Sequence, residues 1–271
     1  MMYEVVSVEK KKRQYLVHFK HIDQHFNVEV SEEMILEYRL VKGKILDENQ
    51  WKRLNESMKY DSYRQKLMRY LNHKPRTVFE AKKYLDQFDL SKPNMDQLID
   101  RFVRLGVLND QRYIEQYIEE YSQFRLMGPK KIFYDLINKG LNQPDIEQGL
   151  LSYPESLMKN NIHALIIKHI ESSKNKSLNR LRESIYRLLM TKGYDYQLID
   201  KVFQSMRQEV MSLIDEEEAL RKDYQLLLKK YLRTPKKQSL SNFMIPKLIQ
   251  KGYQYQQIID MVKGEDSNEY E

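Results

Sequence analysis

The chain contains no cysteine in 271 residues, a single tryptophan, eight glycines and seven prolines. Without cysteine there can be no disulfide, no thiolate zinc site and no thiol nucleophile. Glycine and proline together, 15 of 271 residues, amount to about half the usual share of roughly 12%. So few turn residues argue against a many-stranded sandwich or barrel. No uncharged run nears the roughly 18 apolar residues of a membrane span; Ala164-Leu165-Ile166-Ile167 is typical. The start, Met1-Met2-Tyr3-Glu4, lacks a basic stretch followed by an apolar run, so no signal peptide is expected. A soluble, cytoplasmic chain without membrane attachment is the expectation. The glycines are scattered, which excludes a phosphate-cradling loop or a dinucleotide fingerprint. No serine sits in an elbow motif. Enzymatic activity, a cofactor and a metal are therefore not expected.

What is present is charge of both signs: 46 Lys+Arg against 39 Asp+Glu, a net +7. The excess is spread along the chain rather than gathered in a basic arm. It suits nucleic acid, an acidic protein surface or plain solubility. Asp215-Glu216-Glu217-Glu218 could suggest paired carboxylates, but it opens a helical pattern, where negative charge complements the dipole. His18, His21 and His25 fall on an expected hairpin, which sends 18 and 21 to opposite faces.

The first thirty residues alternate. Val5, Val6 and Val8, then Tyr15, Val17 and Phe19, then Phe26, Val28 and Val30 predict a small antiparallel sheet. Lys10–Arg13 and Ile22–Gln24 are its expected turns. Ser31 predicts the N-cap of a short helix through Tyr38, and Asp47-Glu48 opens another that carries Trp51, Leu54 and Met58. From about residue 60 the period becomes helical. Stripes such as Tyr63/Leu67/Tyr70/Leu71, Tyr113/Ile114/Tyr117/Ile118/Tyr121, Ile162/Leu165/Ile166/Ile170 and Leu220/Tyr224/Leu227/Leu228/Tyr231 are wide enough to face a core.

Those helices open a repeat. Leu136-Ile137-Asn138-Lys139-Gly140-Leu141 returns as Leu189-Met190-Thr191-Lys192-Gly193-Tyr194 and as Leu248-Ile249-Gln250-Lys251-Gly252-Tyr253. Each Gly is followed six residues on by Ile146, Ile199 or Ile258. The pattern predicts a helix ending on Lys, a glycine in the left-handed position after it, and a third helix burying its Ile. Gly140, Gly193 and Gly252 are thus expected helix caps. The expected organisation is an N-terminal β-rich cap with short helices (1–59), three-helix repeats at 60–108, 109–153, 154–209 and 210–264, and an acidic tail (265–271). The fold class is mainly α: four tandem three-helix repeats in an elongated, curved array.

Around residues 101–150 the residues resemble a known family, and the likeness is dense over 60–150 and thinner over 151–271. Leu105-Gly106-Val107-Leu108-Asn109-Asp110-Gln111-Arg112-Tyr113 is followed by Arg125-Leu126-Met127-Gly128-Pro129-Lys130-Lys131-Ile132, then Leu136, Lys139-Gly140 and Ile146. This looks like the RecX family of regulators. The sheet ends in a turn, Val41-Lys42-Gly43-Lys44-Ile45-Leu46, that is similar to the family's longer Gram-positive members. The resemblance implies a non-enzymatic protein that binds RecA and the RecA filament on single-stranded DNA. It implies inhibition of filament extension, of the recombinase and ATPase activity, and of the SOS response in DNA repair and recombination. Weak binding to single-stranded DNA and a monomeric state go with it. A rival reading is a helical-repeat protein that binds single-stranded nucleic acid directly and competes for DNA.

One pattern points to a contact surface. Bases gather where the first helix of each repeat meets the second: Arg69, Lys74 and Arg76; Arg125, Lys130 and Lys131; Lys174, Lys176, Arg180 and Arg182; Lys229, Lys230, Arg233, Lys236 and Lys237. The windows 69–76, 125–131, 173–182 and 229–237 hold no acid, although about one residue in seven of the chain is acidic. Cations favour helix C-termini, but Lys130, Lys131, Arg180 and Arg182 fall at helix starts. Repeats align equivalent corners, so these predict a positive stripe for the partner or DNA. The Tyr194–Tyr196 and Tyr253–Tyr255 corners, each with one ring expected inside and one outside, come next.

Overall fold

In a computed structural model of the chain, residues 2–12, 14–173, 176–233 and 239–268 are described. Strands β1 (Met2–Lys10), β2 (Tyr15–His21) and β3 (Gln24–Val30) pair antiparallel, as the alternation predicts. A fourth, β4 (Ile45–Asp47), joins the free edge of β1, giving the order β3-β2-β1-β4. The sequence reading made this segment a turn. The turn is there, at Gly43 (φ +82°). It returns the chain so that the Gly43 N–H donates to the Val5 carbonyl and the Val5 N–H to that of Lys44, both at 2.8 Å. Val5, Val17, Phe19, Val30 and Leu46 face one core. Met34 of helix α1 (Glu32–Glu37, capped by Ser31) and Leu54 of helix α2 (Glu48–His73) cover it.

Helix α2 (Glu48–His73) begins with a capping box between Asp47 and Gln50. It then runs straight through residue 59, where the sequence reading changed units. Nothing in the residues stops it: there is no glycine or proline between Gly43 and Pro75, so no break in the hydrogen-bond ladder is imposed. Its first half closes the sheet core through Leu54. Its second half, through Leu67, packs with α3 (Val78–Leu85) and α4 (Lys92–Arg104) around Leu98, Ile99 and Phe102.

The chain divides into two compact units, residues 1–113 and 114–271. Helix α5 (Asp110–Gln123) starts at the end of the first. The second continues with α6 (Pro129–Ile137), α7 (Gln143–Leu150), α8 (Glu155–Glu171), α9 (Leu178–Thr191) and α10 (Tyr196–Ser205). After α10 comes α11 (Arg207–Ser212), a short helix the sequence reading lacked; it buries Val210 in the same core as Ile162, Ile185 and Ile199. Then follow α12 (Glu216–Leu232), α13 (Leu240–Gln250) and α14 (Tyr255–Asn268). Helix α14 continues past residue 265, where a tail was expected; residues 269–271 lie outside the described part. The fold is mainly α, with helices in successive threes behind a small N-terminal sheet. No helix among the described residues is long and apolar enough to cross a membrane.

The recurring helix end has a definite geometry. Gly140, Gly193 and Gly252 have φ of +78°, +91° and +88°. Each donates its N–H three residues back, and the next residue donates five residues back: Leu141 to Leu136, Tyr194 to Leu189, Tyr253 to Leu248. This double bond pattern satisfies carbonyls that a helix end otherwise leaves to water. Ile146, Ile199 and Ile258 are fully buried.

Candidate partner-binding surface

The second helices of the C-terminal unit touch end to end. The C-terminus of α9 abuts the N-terminus of α6, where the Gly128 N–H donates to the Lys192 carbonyl (2.7 Å) and the Lys130 N–H to the Gly193 carbonyl (3.1 Å). The C-terminus of α13 abuts the N-terminus of α9 through side chains instead. Ser177 Oγ donates to the Lys251 carbonyl (2.5 Å), Asn179 Nδ2 to that of Gly252 (2.9 Å), and the Arg180 guanidinium to that of Gln250 (2.7 Å). At both joints a carbonyl-rich, partly negative helix end meets an N–H-rich, partly positive one.

The first N–H of the receiving helix is dealt with separately. Glu216, opening α12, accepts from the Leu178 N–H at 2.9 Å. In the N-terminal unit Asp110, opening α5, accepts from the Val78 N–H of α3 at 2.8 Å. Helix α6 begins with Pro129, which has no N–H to satisfy. The acidic run 215–218 is therefore a helix start: Asp215 caps α12 and Glu216 caps a neighbour.

This arrangement corrects the dipole argument for the basic corners. The sequence reading set Lys130, Lys131, Arg180 and Arg182 against only their own helix's N-terminus. The structure puts the C-terminal carbonyls of α9 beside the first pair and those of α13 beside Arg180. A negative end within a turn is reason enough for a cation there. Lys130 also reaches Asp195 at 2.7 Å, and that hydrogen bond holds the Asp195 carboxyl below the usual carboxylate range. Lys131 pairs with Asp135 (2.8 Å). Arg182 lies over the rings of Tyr186 and Phe203 and 3.7 Å from Asp200. Even so, the Lys130 and Arg182 side chains remain 61% and 50% exposed.

The other corners differ. Arg76 is largely buried, its guanidinium 4.2 Å from the Tyr70 ring and 3.6 Å from Glu80. Arg69, Lys74 and Arg125 are exposed, as is Lys176 beside Ser173. Lys229 and Lys230 occupy the last turn of α12, and Arg233 is its C-cap. Lys174, Lys236 and Lys237 lie outside the described residues. The two ends of α9 also show that the corners at α6 and α9 are not neighbours. A 14-residue helix separates them by about 21 Å.

Tyrosines lock the joint between α6 and α9 from inside. Tyr153 Oη donates to the Met127 carbonyl (3.1 Å) and lies 3.2 Å from Tyr194 Oη. Asn161 Nδ2 bridges Tyr153 Oη (2.9 Å) and the Ser122 carbonyl (2.7 Å). Burial pushes both hydroxyls above the ordinary tyrosine value. Tyr194 and Tyr253 are buried while Tyr196 and Tyr255 stand exposed. In the sheet, His21 stacks on Tyr3 and His18 faces Glu9. Among the described residues no group of His, Asp and Glu is arranged to hold a metal.

Sequence reasoning did not find the polar cleft between α1, α2 and α4. It has a volume of about 640 Å³ and is lined by Arg53, Arg64, Arg101 and Arg104 against Glu33, Glu37, Glu56 and Asp61. Its bases lie on three separate turns, so no cluster appears along the chain.

Residues 109–150, which form α5 to α7, match the family model described as RecX, second three-helix domain. Across nearly the full length, the chain is 28% identical to the regulatory protein RecX of Streptococcus agalactiae over 258 residues, covering 94% of this chain and 96% of that one. It is 26% identical to that of Listeria monocytogenes over 253 residues, covering 93% of each. The chain is thus similar to regulatory RecX proteins along nearly its full length. RecX from Lactobacillus salivarius, a solved structure, is similar with a TM-score of 0.52 and 25% identity, over 55% of this chain and 97% of that one. A crystal structure of a regulatory protein RecX shares the fold with a TM-score of 0.61 at 21% identity, over 74% of this chain and 99% of that one. The resemblance seen around residues 101–150 thus has full-length counterparts, which take in the thinner stretch over 151–271.

Proposed function

We propose that the chain is a stoichiometric regulator of RecA. It binds RecA and the RecA filament on single-stranded DNA, blocks filament extension, lowers recombinase and ATPase activity, and so restrains the SOS response. The observation that carries this reading is the relationship to regulatory RecX proteins along more than nine-tenths of the chain. The repeats support it physically. Each three-helix unit at 60–108, 109–153, 154–209 and 210–264 would offer one modest contact to a helical polymer, and contacts in series add up by multivalency. The exposed cations at the corners would supply salt-screened attraction. The protein would work in the cytoplasm, as a monomer, without chemistry of its own.

The test is RecA ATPase on single-stranded DNA with the chain substoichiometric to RecA. Inhibition below the concentration at which the chain coats bare DNA is the expected result. Inhibition only at coating concentrations, with a steep loss of affinity in salt, would instead make it a competitor for single strands. Reversal of Lys130 and Lys131 to Glu, and separately of Arg180 and Arg182, tests the corners. The second pair needs a stability control, because Arg180 holds the α13 end and Arg182 covers two rings.

A further inference from the structure

We infer that the exposed face of α9 is a docking trough for an acidic protein segment bearing an apolar side chain. The inference rests on the RecA-filament reading and deepens it: the segment is one that a filament subunit presents.

Two hollows lie side by side along α9. One, of about 800 Å³, runs beside Arg182, Met190 and Tyr196. The other, of about 520 Å³, runs beside Lys176 and Ile249. Glu183 and Arg187, one helical turn apart, line both, so the two hollows adjoin along α9 and together form the trough. Its floor is α9, and the end of α13 forms one wall at Gly252. Arg182, Arg187, Lys176 and Arg180 outnumber the one acid, Glu183, so the occupant is anionic.

Its apolar parts are not explained by folding. The helix-end motif needs the buried Leu four residues before each Gly, which meets the residue after it. It does not need the residue three before. Yet that position is Ile137, Met190 and Ile249, which are 37%, 55% and 47% exposed. A large apolar side chain left in water at the same turn of three successive second helices is a repeated contact point. Two of the three line the trough, one at each hollow. Beside them Tyr196 is 53% exposed, and Met, Tyr and Arg are the residues enriched where proteins meet.

The same features disfavour a nucleic-acid strand as occupant. Single strands are held by successive aromatic platforms under the bases. Here one exposed ring stands between aliphatic side chains. These suit an aliphatic or aromatic anchor from a protein, with a carboxylate reaching Arg187.

The experiment uses the full chain carrying Arg187→Glu or Met190→Ser, with Lys201→Glu on α10 as a charge control. Binding is measured to preformed RecA filaments on an oligonucleotide and, separately, to the bare oligonucleotide. Melting curves accompany both; the replaced side chains are exposed, and they should not shift. The expected result is a loss of about tenfold or more on filaments for each trough variant. Bare-DNA binding should stay within about twofold, and Lys201→Glu should change little. Equal losses on filament and bare DNA would make the trough a nucleic-acid site and overturn the proposal. Unchanged filament binding would overturn it too. Failure of the unmodified chain to bind filaments would sink the RecA reading and this inference with it, and is told apart by needing no variant.

Discussion

Replacing Gly193 should unfasten two helices at once. The residue has φ +91°, where an L side chain costs on the order of 1 kcal/mol. A Cβ built there would stand 2.3 Å from the Lys131 nitrogen and 2.5 Å from its Cβ. Those atoms are helix backbone and stem, which cannot swing aside. The ends of α9 and α6 must separate, and the bonds from the Gly128 and Lys130 N–H groups go with them, at about 1 kcal/mol each. Gly193→Ala should therefore cost about 3 kcal/mol, or roughly 10 °C in Tm for a unit of this size. Gly106 provides the contrast: its φ is +69°, but no atom lies within 4 Å of a built Cβ, so Gly106→Ala should cost only the conformational ~1 kcal/mol. Gly193→Asn separates the causes, since Asn accepts the left-handed region better than Ala yet carries the same Cβ. Urea unfolding followed by circular dichroism is the assay. If Gly193→Asn recovers to near the unmodified stability, the clash is imaginary and the joint reasoning fails.

Three other outcomes can be checked. Tyr153→Phe removes a hydroxyl bonded to Met127, Tyr194 and Asn161 and should cost about 1–3 kcal/mol; a change under ~0.5 kcal/mol in the same urea assay would contradict the buried network. Glu216→Ala should cost about 1 kcal/mol by orphaning the Leu178 N–H, whereas Glu217→Ala, exposed beside Arg221, should stay within about 0.5 kcal/mol. On alkaline titration, the Tyr186 hydroxyl is pushed up to about 12 by burial and by its hydrogen bond to Asp200, and Tyr194 and Tyr253 are raised too. A raised folded value favours the neutral form in the fold, so its stabilising effect is complete below the ordinary value of about 10 and is lost as pH rises past it. Absorbance at high pH should show a late-ionising set of tyrosines, and Tm should fall over the same range; full ionisation near the ordinary value with Tm unchanged would refute the burial.

Much of the architecture is local and so was legible. A left-handed glycine, the Leu before it and the Ile after it are consequences of one helix ending, and each fits within a dozen residues. Gly140, Gly193 and Gly252 therefore announce three helix ends directly. β4 and α11 escaped because three and six residues carry too little periodicity to separate from loop. The unbroken α2 escaped because its apolar face shifts from the sheet to α3 and α4, which reads as a change of element. The basic corners were visible as residues but not as environments. That the end of α9 meets Lys130, or that of α13 meets Arg180, depends on pairs 63 and 70 or more positions apart, and no local pattern encodes such pairs. The trough on α9 was half visible: the repeated Ile137, Met190 and Ile249 stood in the motif, but only the fold separates a buried Leu from its exposed neighbour.

Helix α2 fixes a measure that the loops do not. Leu54 serves the sheet core and Leu67 the helical one, and a single uninterrupted rod joins them. Adding or removing one residue between them would turn one face by about 100° relative to the other and slide it by about 1.5 Å, so one of the two cores would have to open. Insertions between repeats are harmless by comparison, as the glycine spacings of 53 and 59 illustrate. In a chain whose repeats tolerate drift in length, this one helix behaves like a keyed shaft: its length in residues, more than their identity, sets the angle at which the sheet is presented to the first three helices.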